Sequence, residues 1–197
     1  MIMVRYADDI VVHCRSQEQA RFIKAKIEKR LLECKLELHP EKTKIIYCKD
    51  DNRRGDYPVQ KFDFLGYTFR PRLSKNRSSR YFVNFSPALS DKAGKAIRET
   101  IRGWRIHSRS DKSIVDLSKI FNPIIRGWLN YYGKYYKSAL YPILNQLNLS
   151  IIEWAMRKYR KLRGRQRRAF HWLGRIARKS PWLFAHWHFG AKPAAGR

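Results

Sequence analysis

The apolar residues of this chain change their spacing at Ser90, and that change limits the folds open to it. Ahead of Ser90, apart from one stretch of helical spacing between Ser16 and Cys34, the apolar runs are short and either continuous or alternating, as in Ile2-Met3-Val4, Ile10-Val11-Val12 and Phe62 to Phe69, which is how strands read. Behind it they recur every three or four residues, the spacing of helices with one buried face. Strands followed by helices along one chain predict an α+β fold. Charge is just as uneven. Eleven of the 16 acids lie at or before Asp63, and none follows Glu153. With 43 Lys and Arg the formal net charge is +27, a strong positive potential whose natural partner is nucleic acid.

Composition narrows the classes further. Hydrophobic residues make up 44% and aromatics 14% of the 197 residues, too rich for a disordered chain and enough for one or two domains. No apolar run approaches the roughly 18 residues of a membrane span, and no secretory or transit signal opens the sequence. Cys14, Cys34 and Cys48 are odd in number and widely spaced, which reads as small core fillers in a reducing, cytoplasmic compartment. There is no Cys-x-x-Cys pair or zinc-like Cys and His spacing. His186 and His188 flank Trp187 in an aromatic tail and read as structural or RNA-facing.

The front third carries the candidate chemistry. Tyr6-Ala7-Asp8-Asp9 sits between two strand-forming runs, so the acidic pair falls at the tip of a β-hairpin. Asp is a common turn residue, and a solvated turn is the plain reading. The chemical reading is a divalent-cation site, since adjacent carboxylates at such a tip suit the metal-assisted displacements of phosphoryl transfer. Ser16 followed by Gln19 predicts a capped helix with Ala20, Ile23, Ile27, Leu31 and Cys34 on its apolar face. Thr43 to Cys48 reads as a strand, and Lys49 to Pro58 as a polar loop. Phe62 to Phe69 reads as a strand with Gly66 set inside it, where a backbone could approach closely. Tyr81 to Phe85 is its return strand across the basic loop from Lys75 to Arg80.

From Ser90 the helices follow. Leu89, Ala93, Ile97, Ile101 and Trp104 back a cationic stripe of Lys92, Lys95, Arg98, Arg102 and Arg105. Asn122-Pro123 predicts the start of a second helix, with Ile124, Ile125, Trp128, Leu129 and Tyr132 facing inward. A third runs from about Ile143 through Leu147, Ile151, Trp154 and Ala155 into Arg157 to Arg163. Between Arg157 and Lys179 stand eleven basic residues interleaved with Tyr159, Phe170 and Trp172. Guanidinium groups pair with phosphates and aromatic faces stack on unpaired bases, so Arg126, Lys134, Arg157, Lys158, Arg160, Lys161, Arg163, Arg165, Arg167 and Arg168 are the candidate RNA contacts.

The order of these motifs is more specific than any one of them. Arg5-Tyr6-Ala7-Asp8-Asp9, then Leu38-His39-Pro40-Glu41-Lys42-Thr43-Lys44, then Phe64-Leu65-Gly66-Tyr67, then Arg126-Gly127-Trp128-Leu129-Asn130-Tyr131-Tyr132 resembles the C-terminal part of a group II intron-encoded reverse transcriptase and maturase. The resemblance implies the end of a polymerase palm over 1–86, a helical maturase-specific thumb domain over 87–190, and a disordered tail over 191–197. It implies Asp8 and Asp9 as catalytic, Mg²⁺-binding carboxylates of an RNA-directed DNA polymerase. Tyr6, Phe64, Leu65, Gly66 and Tyr67 then stand at the primer grip, and intron RNA and the template-primer duplex are the partners, for splicing and intron mobility.

The same family places a further palm Asp and the fingers motifs ahead of the position of Tyr6. The chain as given is therefore expected to hold an incomplete cation cage and not to polymerise DNA alone. It reads either as the remnant of an interrupted reading frame or as one part of a split protein that pairs with a separate N-terminal piece. Two other readings stay open: a non-catalytic basic RNA-binding protein with a chance acidic turn, and a reverse transcriptase of another lineage, such as a retron enzyme.

Overall fold

The change of period at Ser90 is where strands give way to helices. Ser90 Oγ accepts the Ala93 amide at 3.2 Å, capping a helix that begins at Asp91. In the computed structural model, which describes residues 2–53 and 55–193, the strands are β1 (Ile2–Tyr6), β2 (Asp9–His13), β3 (Phe62–Phe64), β4 (Tyr67–Lys75) and β5 (Tyr81–Leu89). The helices are α1 (Gln17–Glu33), α2 (Asp91–Gly103), α3 (Ile114–Tyr132), α4 (Tyr141–Lys158), α5 (Gln166–Lys179) and α6 (Ala185–His188). Strands β1 and β2 form a two-stranded antiparallel sheet, and β3-β4-β5 a three-stranded one. The chain is α+β, with all but one of its helices after the last strand.

Two compact units divide it: Met1–Phe64 with Phe69–Phe85, and Leu65–Thr68 with Ser86–Arg197. In the first, no described residue is fully buried. Ser16 Oγ caps α1 on the Gln19 amide at 3.1 Å, while Gln19 Oε1 reaches back to the Arg15 amide at 2.7 Å. The α1 stripe of Ala20, Ile23, Ile27 and Leu31 is half-buried. Phe62 stacks on Phe69 with ring centroids 4.8 Å apart, and Asp51 docks on β5 by a reciprocal pair of bonds with Val83.

The second unit is built around α4. Ile143, Leu147, Ile151, Ile152, Trp154 and Ala155 are all buried, against Ile97 and Ile101 of α2, Leu117, Phe121 and Ile125 of α3, and Ala169, Leu173 and Ala177 of α5. Trp104 stacks on Phe121 at 4.4 Å and on Trp128 at 5.3 Å, extending the core to its edge. Trp154 Nε1 donates to Arg109 O at 2.8 Å, so the largest core side chain also pins a loop.

Several sequence expectations are corrected. Thr43 to Cys48 is not a strand: Tyr47 N to Val59 O, at 2.9 Å, is its single strand-like bond to another segment among the described residues, and one bond makes no ladder. The second long helix starts at Ile114. There Ser113 and Asp116 form a reciprocal capping box, leaving Pro123 inside the helix and freeing Asn122, which clamps Leu183 O and the Ala185 amide at 2.9 Å each. The third ends at Lys158, because Tyr159 is extended; Arg160–Leu162 is a separate 3₁₀ turn. Cys34 is exposed and Cys14 and Cys48 half-buried, so none fills a core. The ordered chain also passes residue 190: Ala191 is buried, with its amide on His186 O and its carbonyl accepting from Asn148 Nδ2 at 3.0 Å. Residues 194–197 of the expected tail lie outside the described residues.

His186 is structural. Asn148 Oδ1 accepts from both His186 Nε2 and Trp187 Nε1 at 2.8 Å, which fixes the imidazole proton on Nε2 and leaves the buried Nδ1 without a partner. Burial pushes the His186 imidazole down to about 3, so it is neutral in the folded chain. An unfolded His takes its proton near pH 6.5, so below that value the unfolded state binds one proton more than the native state. Stability is full above pH 6.5 and falls below it by about 1.4 kcal/mol per pH unit. Thermal melts between pH 8 and 5 should show the midpoint dropping below pH 6.5, and His186→Gln should flatten that drop whatever it does to the midpoint itself.

Candidate functional site

The acidic pair sits where the register of the first hairpin puts it. Tyr6 pairs with Asp9, Val4 with Val11 and Ile2 with His13, leaving Ala7 and Asp8 as a two-residue turn. Such turns need positive φ at the first central position, usually supplied by glycine; here Ala7 holds φ +50. Arg5 Nε bonds Ala7 O at 3.0 Å and braces the turn. Tyr6, Asp8 and Asp9 are all exposed, and neither carboxylate is in an ion pair among the described residues. No group of three His, Cys, Asp or Glu side chains converges anywhere among the described residues. Two carboxylates with free lone pairs suit magnesium as part of its shell, since that ion commonly takes one or two carboxylates and completes its octahedron with water and phosphate oxygens.

The expected single strand from Phe62 to Phe69 is instead two strands joined by a tight turn. Leu65 and Gly66 carry φ +49 and +76, the pair of positive values a type I′ turn requires, and Phe64 ends β3 half-buried on one side of it. Glycine is needed at 66 for a second reason: a Cβ there would lie 2.8 Å from the Tyr132 hydroxyl. The close approach anticipated at this glycine is made by the protein's own tyrosine. Around the turn Tyr67 packs on Tyr131, Tyr132 and Tyr135 with ring centroids 5.4 to 5.6 Å away. Its hydroxyl donates to Tyr131 O, and the Tyr131 hydroxyl returns a bond to Leu65 O at 2.9 Å. Burial first, then the neighbouring hydroxyls of Tyr131, Tyr135 and Tyr132, pushes the Tyr67 phenol up to about 12, keeping it a donor.

Of the candidate RNA contacts, Arg126, Lys134, Arg157, Arg160, Lys161, Arg163, Arg165, Arg167 and Arg168 are exposed, and none has an ion-pair partner among the described residues. Six of the nine lie in the turn between α4 and α5 and the first turn of α5. Lys158 has another task. Its ammonium bonds Ser110 O at 2.8 Å and Lys112 O at 2.7 Å and lies over the Trp154 ring, so it is a clamp on the loop before α3. The first turn of α5 holds no acid and its N-cap Arg165 makes no capping bond, which leaves amide donors and two arginines at the positive end of a helix.

Two groups escaped the sequence reading. The tyrosine cluster needed Tyr67 to be brought to α3 across more than sixty residues. Arg168, His171, Trp172 and Arg175 share one face of α5, a spacing of three and four that the even density of basic residues conceals. The Leu65-Gly66 turn yields a direct check. Gly66→Ala forces an L residue into left-handed backbone and its methyl into the Tyr132 hydroxyl, and should cost about 2 kcal/mol, read as a lowered unfolding midpoint with secondary structure retained at 20 °C.

Comparison with known families bears on both units. Residues 1–69 match the reverse transcriptase (RNA-dependent DNA polymerase) family, and residues 94–172 match the maturase-specific domain of group II introns. No curated protein and no solved structure matches the chain. Among the described residues no helix is long and apolar enough to cross a membrane. An acidic polymerase-type hairpin followed by the helical domain peculiar to intron maturases is a combination of one lineage, and the chain belongs to the group II intron reverse transcriptases and maturases.

Proposed function

We propose that this chain binds group II intron RNA through its helical unit and assists the RNA to fold for splicing, and that by itself it does not copy RNA into DNA. The observation that carries the reading is the row of exposed cations from Arg157 to Arg168, Lys158 apart, which has no carboxylate partner among the described residues. In a protein those charges repel one another; against RNA they replace condensed counterions and screen the repulsion between packed phosphate backbones. The uncapped, arginine-bearing start of α5 fits the same partner, because anions complete a helix N-terminus. Shape more than sequence sets the specificity of such contacts.

The polymerase-type unit supports a second, conditional role. Asp8 and Asp9 would hold magnesium, which when bound neutralises charge on phosphates and activates an attacking oxygen. A complete site needs donors from further strands, and the hairpin's surface points the same way. Ile2, Val4 and Tyr6 lie on one face and Met3 and Ile10 on the other, exposed from 43% to 66%. A two-stranded ribbon apolar on both faces is marginal alone and suits the inside of a larger sheet covered on both sides. The remaining strands of a complete palm are the cover that fits, and the template-primer duplex would bind only to that assembly.

Filter binding across a salt series tests the RNA reading. Intron RNA should outcompete an unrelated structured RNA at near-physiological salt, and neutralising Arg163, Arg165, Arg167 and Arg168 to Gln should reduce the slope of log K against log[salt] by about 3. Equal competition by the two RNAs would favour a general basic RNA-binding protein. An unchanged slope would move the RNA to another face. In an assembly completed with the remaining palm, Asp8→Ala should abolish primer extension and leave intron RNA affinity unaltered, because it removes an exposed carboxylate and no packing contact.

A further inference from the structure

A cleft of about 500 Å³ opens beside the basic tract, between Tyr159, the 3₁₀ turn Arg160–Leu162 and one face of α5. Its volume lies within the roughly 300–1,000 Å³ of small-ligand sites. Tyr159 and Trp172 line it, with ring centroids 5.3 Å apart and planes inclined at 54°, so the two rings do not stack on each other. Behind them the fully buried Trp154 meets the Tyr159 ring edge-to-face at 5.8 Å and lies 6.4 Å from Trp172. Trp154 is itself held through its Nε1 by Arg109 O at 2.8 Å. The aromatic wall is therefore set before any ligand arrives.

Around that wall stand Lys161, Arg168 and Arg175, all exposed and none in an ion pair among the described residues, with His171 beside them. Arg168, His171, Trp172 and Arg175 follow one another at helical spacing, so a single face of α5 presents cation, imidazole, indole and cation in sequence. The ligand that answers this lining is planar, aromatic and anionic at once. An acidic peptide would satisfy the cations and leave the rings uncovered. A paired RNA helix would offer phosphates but keep its bases stacked and out of reach.

We propose that this cleft captures one unstacked RNA nucleotide, from a bulge or a loop, with its base against Tyr159 and Trp172 and its phosphates on Arg168, Arg175 and Lys161. The inference deepens the reading of the helical unit as an RNA-binding domain and rests on it. It assigns that domain a single-nucleotide readout in addition to its electrostatic surface, so that a splayed base selects the site among the many phosphates the tract can meet.

Two RNA hairpins of the same sequence test it with the full chain: one carries 2-aminopurine at an unpaired loop position, the other an abasic nucleotide there. The base-bearing hairpin should bind about fivefold to a hundredfold more tightly, the range of one base stacked on aromatic side chains, and its 2-aminopurine fluorescence should be quenched on binding. Tyr159→Leu should bring its affinity down to the abasic level while leaving the abasic hairpin unchanged. Should that variant melt early, Trp172→Leu, a change in the half-buried second ring of the wall, must still shrink the base-dependent part of the affinity. Equal affinities for the two hairpins, or a base-dependent gain untouched by a folded variant, would overturn the nucleotide site while RNA binding stands. Failure of both hairpins and of intron RNA to bind would overturn the RNA-binding reading along with it.

Discussion

The burial of helix α4 is what the second unit depends on. Six of its apolar side chains, from Ile143 to Ala155, lose all contact with solvent, and α2, α3 and α5 each present an apolar stripe to them. Removing that much apolar surface from water is the one large favourable term available to a domain so heavily charged. The polar groups that α4 takes inside with it are all put to use. Trp154 Nε1 holds Arg109, Lys158 holds the carbonyls of Ser110 and Lys112, and Asn148 gathers His186, Trp187 and Ala191. The core therefore fixes the loops as well as the helices, and the aromatic wall of the α5 cleft is the outer surface of the same packing.

Charge works against this arrangement. After Glu153 the chain has no acid to set against its Lys and Arg, so the folded state gathers like charges that the unfolded chain keeps further apart. A bound polyanion removes that repulsion, and any ligand that binds only the native state also stabilises it. On the proposed reading folding and RNA binding are thereby linked: the cationic tract lowers the stability of the free domain and would raise that of a complex with RNA. The first turn of α5 shows the same exchange locally, with arginines at a helix end where acids would be the stabilising choice.

How much of this the sequence discloses depends on the length of the pattern. Three of the helices after Ser90 are legible because Ile97 and Ile101, Ile125 and Leu129, and Leu147, Ile151 and Trp154 repeat a period over several turns. Their ends are less so. Asn122-Pro123 carries every mark of a helix start, yet Ser113 and Asp116 cap the helix nine residues earlier and Asn122 is spent on a distant segment. Thr43 to Cys48 has the composition of a strand, but a strand exists only with a neighbour to complete its ladder. The Leu65-Gly66 turn is hidden because leucine is not a residue that signals positive φ; the tyrosines of α3 hold it there. The acidic hairpin is legible for the opposite reason, since its pairing is local and its register follows from a two-residue turn.

The two hairpin tips share a device that bears on their roles. Ala7 and Leu65 both hold a left-handed φ without being glycine, a conformation that costs energy and persists only where the surroundings enforce it. At Leu65 the enforcement is visible: a hydrogen bond from Tyr131 and a ring of tyrosines close over the turn. At Ala7 it is slight, a strand pair and one bond from Arg5, within a ribbon whose apolar side chains face water. A strained turn bearing two exposed carboxylates, on strands whose apolar side chains are mostly exposed among the described residues, has little packing to hold it. The helical unit carries its own support. The proposed RNA-binding role therefore rests on the unit that is complete in packing, and the proposed phosphoryl-transfer role on the unit whose acidic ribbon leaves most of its apolar side chains exposed.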